Sequence, residues 1–259
     1  MSGSKNSTAA EKLYYIPPAA ASGVENMAID RELMQRARRE GKTFFRLYHW
    51  QPSCISLGRG QDPEKVLNMA YIKRKGYDVV MRPTGGSYVL HHGDITYAIA
   101  TAGHSKCFAL PLLRFYRVIN QAFYRALRDI GVAENTMHFG AAAFRREHKQ
   151  KPCFSHHANH EILINGKKIL GSAQRRSKDA LLQHGSLLVD DSINELFYVQ
   201  KHFSDSAAIH RRVTYLRAHI PPALPLTDIY SAVVKQVAAG LEMDVVYEQK
   251  YILNHSKMC

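Results

Sequence analysis

The sequence predicts an α+β fold, a mixed and mainly antiparallel sheet flanked by helices. Short runs rich in aromatic and β-branched residues recur along the chain between a few long helical patterns. An Asn-Gly pair at 165–166 separates two apolar runs, the signature of a tight antiparallel hairpin. No repeat, heptad pattern or Pro/Ser-rich linker divides the 259 residues, a length suited to one large domain.

Taken in order, ENMAIDRELMQRARR (25–39) sets Met27, Ala28, Leu33 and Met34 on helical spacing, followed by a basic face, and Gly41 supplies a stop. TFFRLYH (43–49) alternates and is rich in aromatics, so a strand is expected. Trp50-Gln51-Pro52 turns the chain into a short strand at 53–57, with a loop at 58–61 on its exit. A short helix is expected at 67–75, ended by Gly76, and strands at 78–81 and 94–100. The longest helical pattern covers 110–129, with Leu113, Tyr116, Ile119, Phe123, Leu127 and then Ile130 at three- and four-residue steps. From 132 to 159 the pattern gives way to alanines, basic residues and histidines, and a loop this long in a compact domain usually carries function. The hairpin 161–164 with 167–173, a strand at 180–189, helices at 194–203 and 226–241, and an edge strand at 244–247 complete the reading.

Residues 1–15 read as a disordered, small and polar tail, and 16–259 as one domain with a small C-terminal extension from about 221. No apolar run is long enough for a transmembrane helix, and the N-terminal residues lack the apolar core of a secretory signal. Four widely spaced cysteines without a CxxC pair suit a reducing cytoplasm better than a disulfide framework. The net charge of +13 is scattered over many short basic clusters, without an RNP motif, zinc finger or basic zipper. Nucleic acid is therefore not the favoured partner. Acidic proteins explain the charge, because complementary charge steers docking.

Three segments offer chemistry. In Arg82-Pro83-Thr84-Gly85-Gly86-Ser87, the glycines let backbone N–H groups approach a ligand, and Arg82 offers a planar fork of donors for an oxyanion or phosphate. An ordinary hairpin turn is the plain alternative. Cys153 stands in KPCFSHHANHE, where cationic neighbours favour a thiolate able to carry an acyl group. An idle buried thiol, or zinc held with His156, His157 and His160, are the competing readings. Lys168 follows the Asn-Gly turn, and strand alternation puts it on one face with Leu170, as a point charge for a carbonyl oxygen or as a solvated turn lysine. Gly171, Ser172 and Ala173 leave room beside a strand for a ligand chain. His184-Gly185 interrupts the next strand, with His184 either a core histidine or part of a site.

FRLYHWQPSCISLGRGQ, RPTGG..VLHHGDITYA, NGKKILGSAQRR and LLQHGSL occur in one order, and together they resemble the lipoate–protein ligase A and octanoyltransferase branch of the biotin/lipoate protein ligase family. The resemblance spans most of the chain, from about 25 to about 190. It implies the family's catalytic fold, with an acyl tunnel beside the 82–87 loop, and attachment of octanoyl or lipoyl groups to a lysine of a small carrier domain. Lys168 matches the family's active-site lysine. Arg82, Thr84, Gly85, Gly86, Ser87 and His91 match the loop around the activated acyl group, and Gly171, Ser172, Ala173, His184 and Gly185 match its lining. Cys153, eight residues before Glu161, falls where the cysteine-dependent transferases carry their acyl-accepting thiol. The implied donor is octanoyl-acyl carrier protein, the acceptor an acidic lipoyl carrier domain, with neither cofactor nor metal. The alternative is an ATP-dependent ligase using free lipoate with ATP and Mg2+.

Overall fold

In this computed structural model the described residues are 10–103, 105–140, 161–202 and 206–248. The chain enters through β1 (Glu11–Ala21), α1 (Gly23–Glu40), β2 (Thr43–Trp50) and β3 (Cys54–Leu57). Next come α2 (Pro63–Val66), α3 (Met69–Lys75), β4 (Asp78–Met81), β5 (Val89–His91), β6 (Asp94–Ala102), α4 (Lys106–Ala109) and α5 (Leu112–Asp129). It continues as β7 (Met137–Phe139), β8 (Ile162–Ile164), β9 (Lys167–Lys168), β10 (Leu170–Arg176), β11 (Ala180–Leu188), α6 (Ile193–Tyr198), α7 (Ser206–His210), α8 (Leu226–Leu241) and β12 (Met243–Tyr247).

The largest sheet has the order β10-β11-β6-β2-β1-β12. Its first four strands pair antiparallel, while β1 runs parallel to both β2 and β12. The sheet is therefore mixed and mainly antiparallel, as expected. A second sheet, β4-β3-β5, stands beside it and carries the 82–87 loop between its outer strands.

The elements follow local signals where those are strong. Ser22 and Glu25 form a reciprocal capping box at the start of α1, and Gly41 ends the helix in the left-handed conformation. Asn165 and Gly166 both take positive φ, 50° and 75°, as a two-residue hairpin turn requires. In β2 the alternation is real, but both faces are covered. Phe45 and Leu47 join the core under α5 and α8, whereas Phe44 and Tyr48 join the core under α1.

Several expectations need correction. Glu11 to Tyr15 belong to β1, not to a disordered tail: this stretch pairs in register with β2 and β12, and Leu13 and Tyr15 are buried. Its partners lie far away in sequence, so the short run KLYYI gives little local sign of them. The buried face of α5 is centred on Phe115, Ile119, Phe123 and Leu127, while Leu113 is 65% exposed. In α1 it is Ile29, not Ala28, that faces inward. The strand expected over 167–173 breaks at Ile169, so that β9 pairs with β8 and β10 joins the main sheet. As a result Lys168, Ile169 and Leu170 are all buried, and simple alternation fails there. Residues beyond 221 contribute α8, packed on α5, and β12, the parallel edge strand of the main sheet.

Candidate functional site

Arg82, His91, Gly171, Ser172, Ala173, His184 and Gly185 line one cavity between the two sheets. Met27, Tyr48, Trp50 and Val89 give it an apolar wall. Strand register brings the predicted segments together: Ser172 lies opposite Gly185 and Ala173 opposite His184. Close approach explains Gly185, since a Cβ there would fall 2.5 Å from the Gly171 carbonyl oxygen and 2.6 Å from Tyr97 Cε1.

Arg82 does not present its donors as a fork toward a ligand. Its Nε donates to Thr84 Oγ1 at 3.1 Å, Nη1 to the Ser56 carbonyl at 2.8 Å, and Nη2 to the carbonyls of Gly85 and Ser87 at 2.8 and 2.6 Å. The guanidinium is buried, and these acceptors replace the water it loses. Arg82 thus shapes the loop from within, leaving Gly85 and Gly86 exposed and Ser87 half-buried. The loop is also pinned to the end of β3, with Arg59 N–H donating to the Thr84 carbonyl at 2.9 Å. A Cβ at Gly58 would sit 1.9 Å from the Gly86 carbonyl oxygen. Gly58→Ala is therefore expected to displace the loop and cost about 1–3 kcal/mol in stability, measurable by denaturant unfolding.

Two histidines stand on this cavity, each in a buried relay. His184 Nε2 lies 2.6 Å from Thr84 Oγ1, and its Nδ1 lies 3.0 Å from Asp30 Oδ2. Asp30 also accepts from Tyr48 Oη at 3.0 Å and pairs with Arg46 at 3.3 Å. His91 Nε2 lies 2.8 Å from Ser56 Oγ, and its Nδ1 lies 2.9 Å from Asp94 Oδ2. Asp94 Oδ2 further accepts from Thr96 and Ser186 hydroxyls at 2.8 and 2.5 Å.

Burial pushes the His184 imidazole below its ordinary value, against the opposing pull of Asp30. Burial also pushes the Asp94 carboxyl up, but His91, Ser186 and Thr96 outweigh it and hold the group low. The unfolded chain therefore takes up protons that folded His184 resists below the ordinary histidine value of 6.5. Stability should be fully present above that pH and decline as pH falls toward the lower folded value. Thermal melts at about pH 7.5 and 5.5 should show a drop that is smaller in His184→Gln.

Lys168 is neither a solvated turn lysine nor a residue lining the cavity. It is 1% exposed, with Nζ 2.6 Å from Glu161 Oε1. A buried ammonium needs such a counter-charge. Its backbone is fixed by Thr214, whose N–H donates to the Lys168 carbonyl at 3.0 Å, and by its own N–H donating to the Arg212 carbonyl at 2.7 Å. Cys153 and the histidines 156, 157 and 160 lie outside the described residues.

A family model described as lipoyl protein ligase A/B catalytic domain matches residues 22–238. The chain belongs to this family. Octanoyltransferase LipM of Clostridioides difficile is 33% identical over 180 residues, spanning 69% of this chain and 66% of that protein. Octanoyltransferase LipM of Brevibacillus brevis is 28% identical over 247 residues, spanning 91% of this chain and 89% of that protein. Among solved structures, a lipoate-protein ligase A bound with ATP has a TM-score of 0.74 at 20% identity, over 92% of this chain and 88% of that one. The expected biotin/lipoate protein ligase catalytic fold is thus the fold observed.

Within this family fold, the residues that sequence reasoning passed over are the orienting ones: Asp30, Ser56, Asp94, Trp50 and Thr96. Asp30 lies in the run read as a helix and Asp94 opens the DITYA run read as a strand, with no role assigned to either carboxylate. Nearness in sequence was an available signal for Asp94 alone, which lies three residues from its partner His91. Among the described residues, no helix is long and apolar enough to cross a membrane.

Proposed function

We propose that this protein transfers an octanoyl group from acyl carrier protein to the lysine of an acidic lipoyl carrier domain, through a thioester on Cys153. The observation that carries this reading is the convergence of Arg82, His91, the Gly171–Ala173 strand and His184-Gly185 on one cavity with an apolar wall. Relatives named octanoyltransferase LipM, similar over most of the chain, support the same reaction.

The Cys153 thiolate attacks the donor carbonyl; a carbon–sulfur bond to Cys153 forms, and the one to the carrier's thiol breaks. The acyl chain occupies the cavity while the amine of the acceptor lysine attacks the new thioester; the carbon–sulfur bond to Cys153 breaks, the released thiolate takes the amine's proton, and an amide is left. Lys168, held by Glu161, supplies positive charge for the oxyanion of both steps. The net charge of +13 draws in two acidic protein partners.

The transferase needs no cofactor. ATP and Mg2+ belong to the ligase alternative, and Arg82, whose donors are directed at loop acceptors, does not favour a phosphate there. Mixing with octanoyl-acyl carrier protein should give an octanoyl adduct on the Cys153 peptide by mass spectrometry, and Cys153→Ser should lose transfer. Full transfer by Cys153→Ser would refute the thioester route. Pyrophosphate release from ATP and lipoate, without any carrier protein, would favour the ligase.

A further inference from the structure

Ser56 lines the cavity and its hydroxyl lies 2.8 Å from His91 Nε2. On the other side of the ring, Nδ1 meets Asp94 Oδ2 at 2.9 Å. A carboxylate at Nδ1 fixes the tautomer: Nδ1 carries the proton, Nε2 accepts, and the Ser56 hydroxyl donates to it. This is the order of nucleophile, base and orienting carboxylate, which is recognised by geometry and not by sequence position. All three side chains are buried, and Trp50 stacks on the His91 ring at 4.1 Å between centroids and 18° between planes. Arg82 donates to the carbonyl of Ser56 itself at 2.8 Å, which fixes the backbone that carries the hydroxyl. The other relay lacks these features, because Thr84 Oγ1 already accepts from Arg82 Nε and Thr84 does not line the cavity.

We propose that Ser56 is a second nucleophile in this pocket, giving the protein a serine-dependent hydrolase activity toward medium-chain acyl esters and thioesters. It rests on the reading that the cavity accepts an acyl chain. Ser56 Oγ bonds to the acyl carbon while its proton passes to His91 Nε2. The bond to the thiolate or alcoholate leaving group breaks, and that group takes the proton from His91. Water, deprotonated by His91, then cleaves the acyl-serine ester to the free fatty acid and regenerates the hydroxyl.

The full chain carrying Cys153→Ala, which removes the transfer nucleophile, should release nitrophenolate from p-nitrophenyl octanoate. A fluorophosphonate probe should phosphonylate Ser56 in the unsubstituted chain, as located by peptide mass spectrometry. Adding Ser56→Ala or His91→Gln should lower release about 10²-fold or more, with circular dichroism confirming the fold. Absence of a probe adduct on Ser56 in the folded unsubstituted chain, or release that persists in Ser56→Ala, overturns the inference. Octanoylation of a carrier domain, assayed in parallel, separates the two readings. Transfer without Ser56 labelling removes only the hydrolase, and Ser56 labelling without transfer removes only the transferase.

Discussion

Asp30→Ala is expected to destabilise the protein by about 3–5 kcal/mol and to lower its Tm by on the order of 10 °C. Asp30 is fully buried and pairs with Arg46, itself 3% exposed, in the middle of the main sheet. An arginine there cannot shed its charge, so removing the carboxylate leaves a desolvated cation with its counter-ion gone. Tyr48 and His184 lose the acceptor on which both are oriented. Asp30→Asn retains the shape and part of the hydrogen bonding, and should cost less while disturbing the His184 tautomer. Thermal unfolding followed by circular dichroism reads both variants. A loss below about 1 kcal/mol for Asp30→Ala would mean that Arg46 is satisfied by Asn26 alone.

Lys168→Met should abolish octanoyl transfer and, separately, cost about 3–5 kcal/mol, because the buried Glu161 carboxylate loses its ammonium partner. The two effects come apart in the double variant Lys168→Met with Glu161→Leu. Replacing both charges of a buried pair by apolar groups of similar size is often neutral, so stability should return toward the parent while activity stays lost. Melts and a carrier-domain octanoylation assay on the same preparations test this. Recovery of transfer in the double variant would show that Lys168 acts only as a structural counter-charge.

The candidate site was legible in outline because several of its segments carry residue types with few other uses, Arg82, a small-residue strand at 171–173, and His184-Gly185, whereas Gly85 and Gly86 do not line the cavity. What each side chain does there was not legible. Arg82 has the right chemistry for an anion, yet its donors meet Ser56, Thr84, Gly85 and Ser87, because a buried guanidinium bonds to whatever acceptors the fold brings within reach. Asp30 and His184 are 154 residues apart, and no local pattern couples them. For α5 the period was readable, and so was its phase from Ile119 onward, since Ile119, Phe123 and Leu127 are buried as expected, but not in its first turn. Leu113 lies near the helix start, beyond the packed surface, whereas Phe115 faces the core.

Signals that act within a few residues were decided by the sequence itself. The Ser22–Glu25 capping box, the Gly41 stop and the Asn165-Gly166 turn each satisfy backbone groups close by, so their outcome follows from their own residues. The order of the family motifs likewise determined the fold to expect. Tertiary structure alone decided the pairing of β1 with β2 and β12, the burial of Lys168 against Glu161, and the two histidine relays. Each depends on removing charged or polar groups from water, and which partners then replace the water is set by chain segments far away in sequence.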